Sequence, residues 1–207
     1  MQPPQRFCVF AALIFTQNTA PAARAVSRAL SGISKMQLRL TGKLQKELGL
    51  KPKDLCEPQS SSVGLGSWTA NIFTEDRRKA LVFINEKTLY AFMLFGVRKD
   101  NIQNIKKVFV NGLTQLLTMD GFSEQQIKKL MAGYDQVQFT KTNSKQILGN
   151  LNDITQLYQF SIHQGGGFKY CDINEIIHKL NRMPQRNIGW GYAIDAVREI
   201  AKQPRSA

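Results

Sequence analysis

Arg77, Arg78 and Lys79 stand side by side in the polar break Glu75-Asp76-Arg77-Arg78-Lys79, between the apolar runs Trp68 to Thr74 and Ala80 to Ile84. Three cations at what reads as a β-hairpin tip reach solvent together, where they can meet phosphates without desolvating a core. Lys106-Lys107 and Lys128-Lys129 add doublets on helical stretches, and Trp68 and Asn71 lie on the strand leading to the tip. Cations interleaved with an aromatic ring and an amide suit a nucleic acid, since phosphates supply affinity and a base can stack or be hydrogen-bonded. The competing reading is a solvated turn whose charges keep sheet edges from pairing.

Other chemistries are thinly supplied. The two histidines, His163 and His178, have no Cys or carboxylate at a spacing that forces a metal site. Glu175 and His178, three apart on a helix, read as a surface pair. No metal and no cofactor are expected. Cys171 with His163 or His178 is the one thiol–imidazole combination, and a structural thiol is the simpler account. Gly165-Gly166-Gly167 has no strand before it and no Lys-Ser/Thr after it, so it reads as a slack link rather than a phosphate loop.

The totals frame these candidates. At 207 residues, 43% hydrophobic and 21% charged, the chain can bury a core, which excludes disorder throughout. A net charge of +13 invites a polyanionic partner. Seven basic residues and no acid precede Glu47, so about half of that excess sits at the beginning and the body is only mildly basic. Cys8, Cys56 and Cys171 form no framework and read as reduced thiols, which suits the cytoplasm. No apolar run reaches the ~18 residues a spanning helix needs, so no membrane partner is expected.

Residues 1–35 read as an extension, poorly ordered or targeting-like: Arg6 precedes the apolar run Phe7 to Phe15, and acids are missing. A single domain is expected over 36–202, with a tail at 203–207. Met36 to Leu40 alternates as a short strand, and Thr41 caps a helix that Gly49 stops. Residues 51–67 form a loop. Trp68 to Thr74, Ala80 to Ile84 and Leu89 to Phe95 make an antiparallel meander, the last two apolar on both faces and hence covered by helices. An amphipathic helix runs from Asp100 or Asn101 to Asp120-Gly121. Ser123 with Gln126 is a capping box for the next. Gln136 to Thr140 is a strand, and Asn143 or Ser144 caps a helix carrying Ile147 to Ile162. Helices over Asp172 to Leu180 and Tyr192 to Lys202 close the chain. The fold class is α+β: an antiparallel sheet of four or five strands with helices packed on it.

Several segments together resemble an uncharacterised bacterial family of domains of unknown function, over residues 36–200. They are Met36-Gln37-Leu38-Arg39-Leu40-Thr41, Trp68-Thr69-Ala70-Asn71-Ile72-Phe73, Asp76-Arg77-Arg78-Lys79 and Asn85-Glu86-Lys87-Thr88-Leu89-Tyr90. The Leu-Gly-x-x-Asn-Asp element at Leu148-Gly149-Asn150-Leu151-Asn152-Asp153 and the Leu-Asn-x-x-Pro element at Leu180 to Pro184 continue the match in order. The chain departs from the family at Thr69, where His is expected. The resemblance implies no activity; it implies a plasmid or mobile-element setting in a bacterial cytoplasm. It marks Asn71, Asn85, Asn152 and Asp153 as polar residues in apolar segments, clamps joining the meander to the helix that holds Gly149.

The function expected is therefore non-enzymatic nucleic-acid binding in a mobile-element or defence setting. Arg77, Arg78, Lys79, Lys106 and Lys107 would hold phosphates of RNA or DNA, with Trp68 or Asn71 against a base. The alternatives are a metal-independent, toxin-like ribonuclease with Asp153 or His163 as base, and a module that docks its basic turn on an acidic protein. The oligomeric state is left open.

Overall fold

The computed structural model describes residues 36–59 and 64–203; the 1–35 extension and the tail beyond Gln203 lie outside the described residues. In chain order the strands are β1 (Met36–Leu40), β2 (Trp68–Glu75), β3 (Arg78–Asn85), β4 (Ala91–Phe95), β5 (Val137–Lys141), β6 (Pro184–Gln185) and β7 (Gly191–Tyr192). The helices are α1 (Gly42–Leu48), α2 (Lys99–Gln103), α3 (Ile105–Met119), α4 (Glu124–Leu130), α5 (Lys145–Gln164), α6 (Ile173–Leu180) and α7 (Ala193–Lys202). The fold is α+β, built on one five-stranded sheet of order β4-β3-β2-β1-β5, with β6 and β7 as a separate small hairpin.

The sheet is mixed rather than antiparallel throughout, which corrects the sequence-based expectation. β2, β3 and β4 are antiparallel neighbours in sequence order, but β1 runs parallel to both β2 and β5. Alternation in Met36 to Leu40 reveals a strand and says nothing of its direction or its neighbours.

Side chains alternate across this sheet, and each face has its own cover. One face presents Leu38, Trp68, Phe83 and Phe92 to α3. Trp68 meets Phe109 edge-on at 5.3 Å, and Phe83 stacks on Phe92 at 4.8 Å. Gly112 lets α3 lie against the strand, since a Cβ there would fall 2.9 Å from the Phe92 ring. Trp68 is fully buried, and its indole N–H donates to Tyr134 Oη at 2.8 Å while Tyr134 donates to Gly66 O. Over the opposite face α5 buries Leu151, Ile154, Tyr158 and Ile162. α6 closes the β4 edge with Ile173, Ile177 and Leu180.

Local signals hold where they were read. Thr41 Oγ1 accepts from Leu44 N, and Gly49 takes φ 67° to end α1. Ser123 and Gln126 exchange hydrogen bonds at the start of α4. Ser144 rather than Asn143 caps α5, through Ile147 N. The long helix expected from Asp100 breaks at Asn104 into α2 and α3.

Candidate functional site

The β2–β3 tip is a two-residue turn, Asp76-Arg77, closed by the Glu75–Arg78 pair. Both residues have positive φ, 47° and 61°, the mirror-type turn whose twist matches the strands it joins. Asp tolerates that region, whereas a long side chain such as Arg77 is held there at a cost of roughly 1 kcal/mol.

The tip is docked rather than loose. Phe168 N donates to Asp76 Oδ2 at 3.4 Å, and Gln159 Nε2 donates to Glu75 Oε2 at 2.9 Å. Gly167, at φ 91°, is where the two segments touch, since a Cβ there would sit 2.7 Å from Asp76 Oδ2. Phe168 is buried and stacks on Phe95 at 5.1 Å. Gly167 is thus the seat of the hairpin, and the triple glycine is packed rather than the slack link expected.

This seat carries groups that complete a surface. Tyr170 is 71% exposed, packs beside Gly166, and has Lys169 Nζ 5.2 Å from its ring centroid. Arg77 and Arg78 are exposed, and among the described residues neither makes an ion pair. Lys79 is held by Glu47 at 2.6 Å, an exposed pair of little strength. Arg77, Arg78, Lys169 and Tyr170 therefore share one corner of the molecule. Lys169 and Tyr170 escaped the sequence reading because nothing local ties residue 170 to residue 76.

The remaining sequence candidates are scattered. Trp68 is buried at the aromatic core with its N–H occupied, so its ring is closed to a base; its position on the strand was read correctly and its exposure was not. Asn71 is half-buried and accepts a hydrogen bond from Thr41 Oγ1 at 2.8 Å. Lys106 and Lys107 begin α3 and line a shallow cleft of about 340 Å³ with Asn111, Tyr134 and Asp135. Lys106 Nζ lies 4.6 Å from the Phe139 ring on β5, and β1 separates β5 from the hairpin.

Of Asn71, Asn85, Asn152 and Asp153, Asn85 alone is buried. Its Nδ2 donates to Leu65 O and Ser67 O, and its Oδ1 accepts from Lys87 N and Thr88 N, so it clamps the loop before β2 and not α5. Gly149, Asn152 and Asp153 are exposed on α5, which removes the clamp expected of Asn152 and Asp153. Asp153 and His163, the alternative bases expected of a ribonuclease, lie ten positions apart on that helix, about 15 Å along its axis. Cys171 sits half-buried against Gly165.

A second polar group was missed altogether. Arg39 is 6% exposed, and the register places it between Thr69 and Thr140 across β2, β1 and β5. Its Nε lies 3.0 Å from Glu86 Oε1, to which Thr69 Oγ1 also donates at 2.6 Å. Its Nη groups donate to Asn143 Oδ1 and Gln59 O, and Gln37 binds Glu57 O and Gln59 N. These contacts fasten the segment around residues 57–59 over a polar stretch of sheet. Every cation here is already matched, so the cluster reads as architecture. Among the described residues no group of three or more His, Cys, Asp or Glu has a metal-holding arrangement.

A family model described as "Domain of unknown function (DUF6933)" matches residues 37–196. The chain belongs to this family. The DUF6933 match spans every strand and helix of the sheet domain from Gln37 into α7, including the hairpin tip and its glycine seat. No curated protein matches the chain. Among the described residues of this DUF6933 domain, no helix is long and apolar enough to cross a membrane.

Proposed function

We propose that this domain binds nucleic acid through the corner formed by Arg77, Arg78, Lys169 and Tyr170, without catalysing a reaction. The observation that carries the proposal is the tip itself. Two arginines are exposed, with no ion pair among the described residues, on a hairpin fixed from behind by Phe168 and Gln159. Arg77 is kept in a left-handed position where Gly would fit more cheaply. A hairpin backbone fixed in this way needs little ordering on contact with phosphate, and guanidinium suits its geometry. Tyr170 takes over the stacking role expected of Trp68.

Binding of RNA and DNA oligonucleotides measured across a salt series tests this. Affinity should fall steeply with salt, and Arg77→Ala with Arg78→Ala should reduce the slope of log K against log salt by about 1 to 2. A flat salt response, or a slope untouched by the double substitution, rejects it. The charges also suit an acidic protein, but an aromatic ring beside them favours nucleic acid.

A further inference from the structure

We infer that the nucleic acid taken by this domain is single-stranded, and that it crosses the exposed face of α5 from the Arg77–Tyr170 corner to Trp190. The inference rests on the binding reading above and adds the substrate class and its path.

Two ridges flank α5. Gln159 holds the β2–β3 hairpin on one side, through Glu75. Asn150 Oδ1 accepts from Asn187 Nδ2 at 2.6 Å and so holds the β6–β7 hairpin. Nine residues separate these anchors, which at 100° per residue sets them on opposite flanks of the helix and about 14 Å apart along its axis. The buried stripe of Leu151, Ile154, Tyr158 and Ile162 fixes which way the helix faces. Gly149, Asn152, Asp153, Gln156, Phe160 and His163 are left exposed between the ridges.

Three features of this face are unexplained by the domain's own packing. Trp190 is 68% exposed and has φ 63°, an uncommon backbone for a bulky side chain. Its backbone N–H donates to Gln185 O at 2.9 Å, so the turn is fixed and the ring is displayed. Phe160 is 62% exposed in the middle of the face. Gly149 sits inside a helix, where Gly is costly, although a Cβ there would meet nothing within 4 Å. Bare backbone, two displayed rings and a third at Tyr170 make a row of stacking platforms. Bases in a duplex already stack on one another and cannot use such platforms, whereas unpaired bases can. Arg77, Arg78 and Lys169 supply charge at one end and Arg186 at the other. Asp153, on the same face, opposes phosphate.

The chain has two tryptophans, and Trp68 is buried away from any ligand, so quenching of the intrinsic fluorescence on binding reports on Trp190. The experiment titrates the whole protein with an oligouridylate of about a dozen nucleotides and with a duplex of equal length, at fixed salt. The single strand should bind at least roughly tenfold tighter and quench the emission, with the quench lost in Trp190→Phe. Trp190→Ala and Tyr170→Ala should each weaken single-strand binding roughly tenfold, in line with the loss of one stacked base. Asp153→Asn should strengthen it. Should the duplex bind as well as the single strand, with Trp190→Ala and Asp153→Asn silent but Arg77→Ala still weakening both, the path is wrong and phosphate binding at the tip survives. If neither oligonucleotide binds, both readings fall.

Discussion

Asn181 grips Ala91 by both of its backbone groups: Nδ2 donates to Ala91 O at 2.7 Å, and Ala91 N donates to Asn181 Oδ1 at 2.8 Å. One amide side chain thus does for the outer side of β4 what a further strand would do. Both residues are buried, so these backbone groups have no route to water if the amide is lost. Asn181→Ala should cost about 2 to 3 kcal/mol in urea unfolding, since it leaves an N–H and a C=O unsatisfied. A loss under half a kcal/mol would mean that the edge finds other partners.

Two buried tyrosines should respond oppositely to loss of the hydroxyl. Tyr134 Oη accepts from the Trp68 indole and donates to Gly66 O, whereas the buried Tyr158 hydroxyl has no hydrogen-bond partner among the described residues. Tyr134→Phe should destabilise by about 1 to 3 kcal/mol, leaving two groups unpaired, while Tyr158→Phe should be neutral or stabilising. Equal costs would show that the two hydroxyls are equally satisfied.

The Arg39–Glu86 pair lies deep in the sheet, with side chains 7% and 18% exposed. Arg39→Met alone should cost about 3 kcal/mol, since it strands a largely desolvated carboxylate. Arg39→Met with Glu86→Leu should recover much of that loss, because two apolar groups need no partner. Additive costs in chemical unfolding would contradict a coupled pair.

High pH should unfold the domain through its interior. Burial raises the Tyr90 pKa well above the ordinary tyrosine value, aided by the Asp120 carboxylate that its hydroxyl meets. Burial alone raises that of Tyr158, and it outweighs the Trp68 hydrogen bond at Tyr134. The folded state therefore holds these protons more tightly than the unfolded chain, which releases them near pH 10. Above about pH 10 the unfolded chain binds fewer protons, so stability is intact below that pH and falls as it rises. Tyrosinate absorbance for these three residues should appear together with the loss of circular dichroism. Their ionisation while the dichroism is intact would contradict the burial.

Much of the secondary structure was legible because its signals act over three or four residues. Thr41, Ser123 and Asp172 cap helices by accepting from N–H groups two or three positions on. The hairpin tip was equally plain, since a charged break between two apolar runs has few other solutions. The long-range contacts were not. Asp76 finds Phe168 across 92 positions and Arg39 finds Asn143 across 104, and no periodicity encodes such a meeting.

By itself the sequence determined most of the segments that become helix or strand, and which side chains are greasy enough to need cover. Tertiary structure decided the rest: that β1 is parallel to both its neighbours, that Trp68 is core while Trp190 is displayed, and that Gly167 seats a hairpin instead of loosening a link. The reason is that alternation and capping are properties of the local backbone. Strand direction, burial and the company a charged group keeps depend on which distant segments share the same space, and a local pattern carries no record of that.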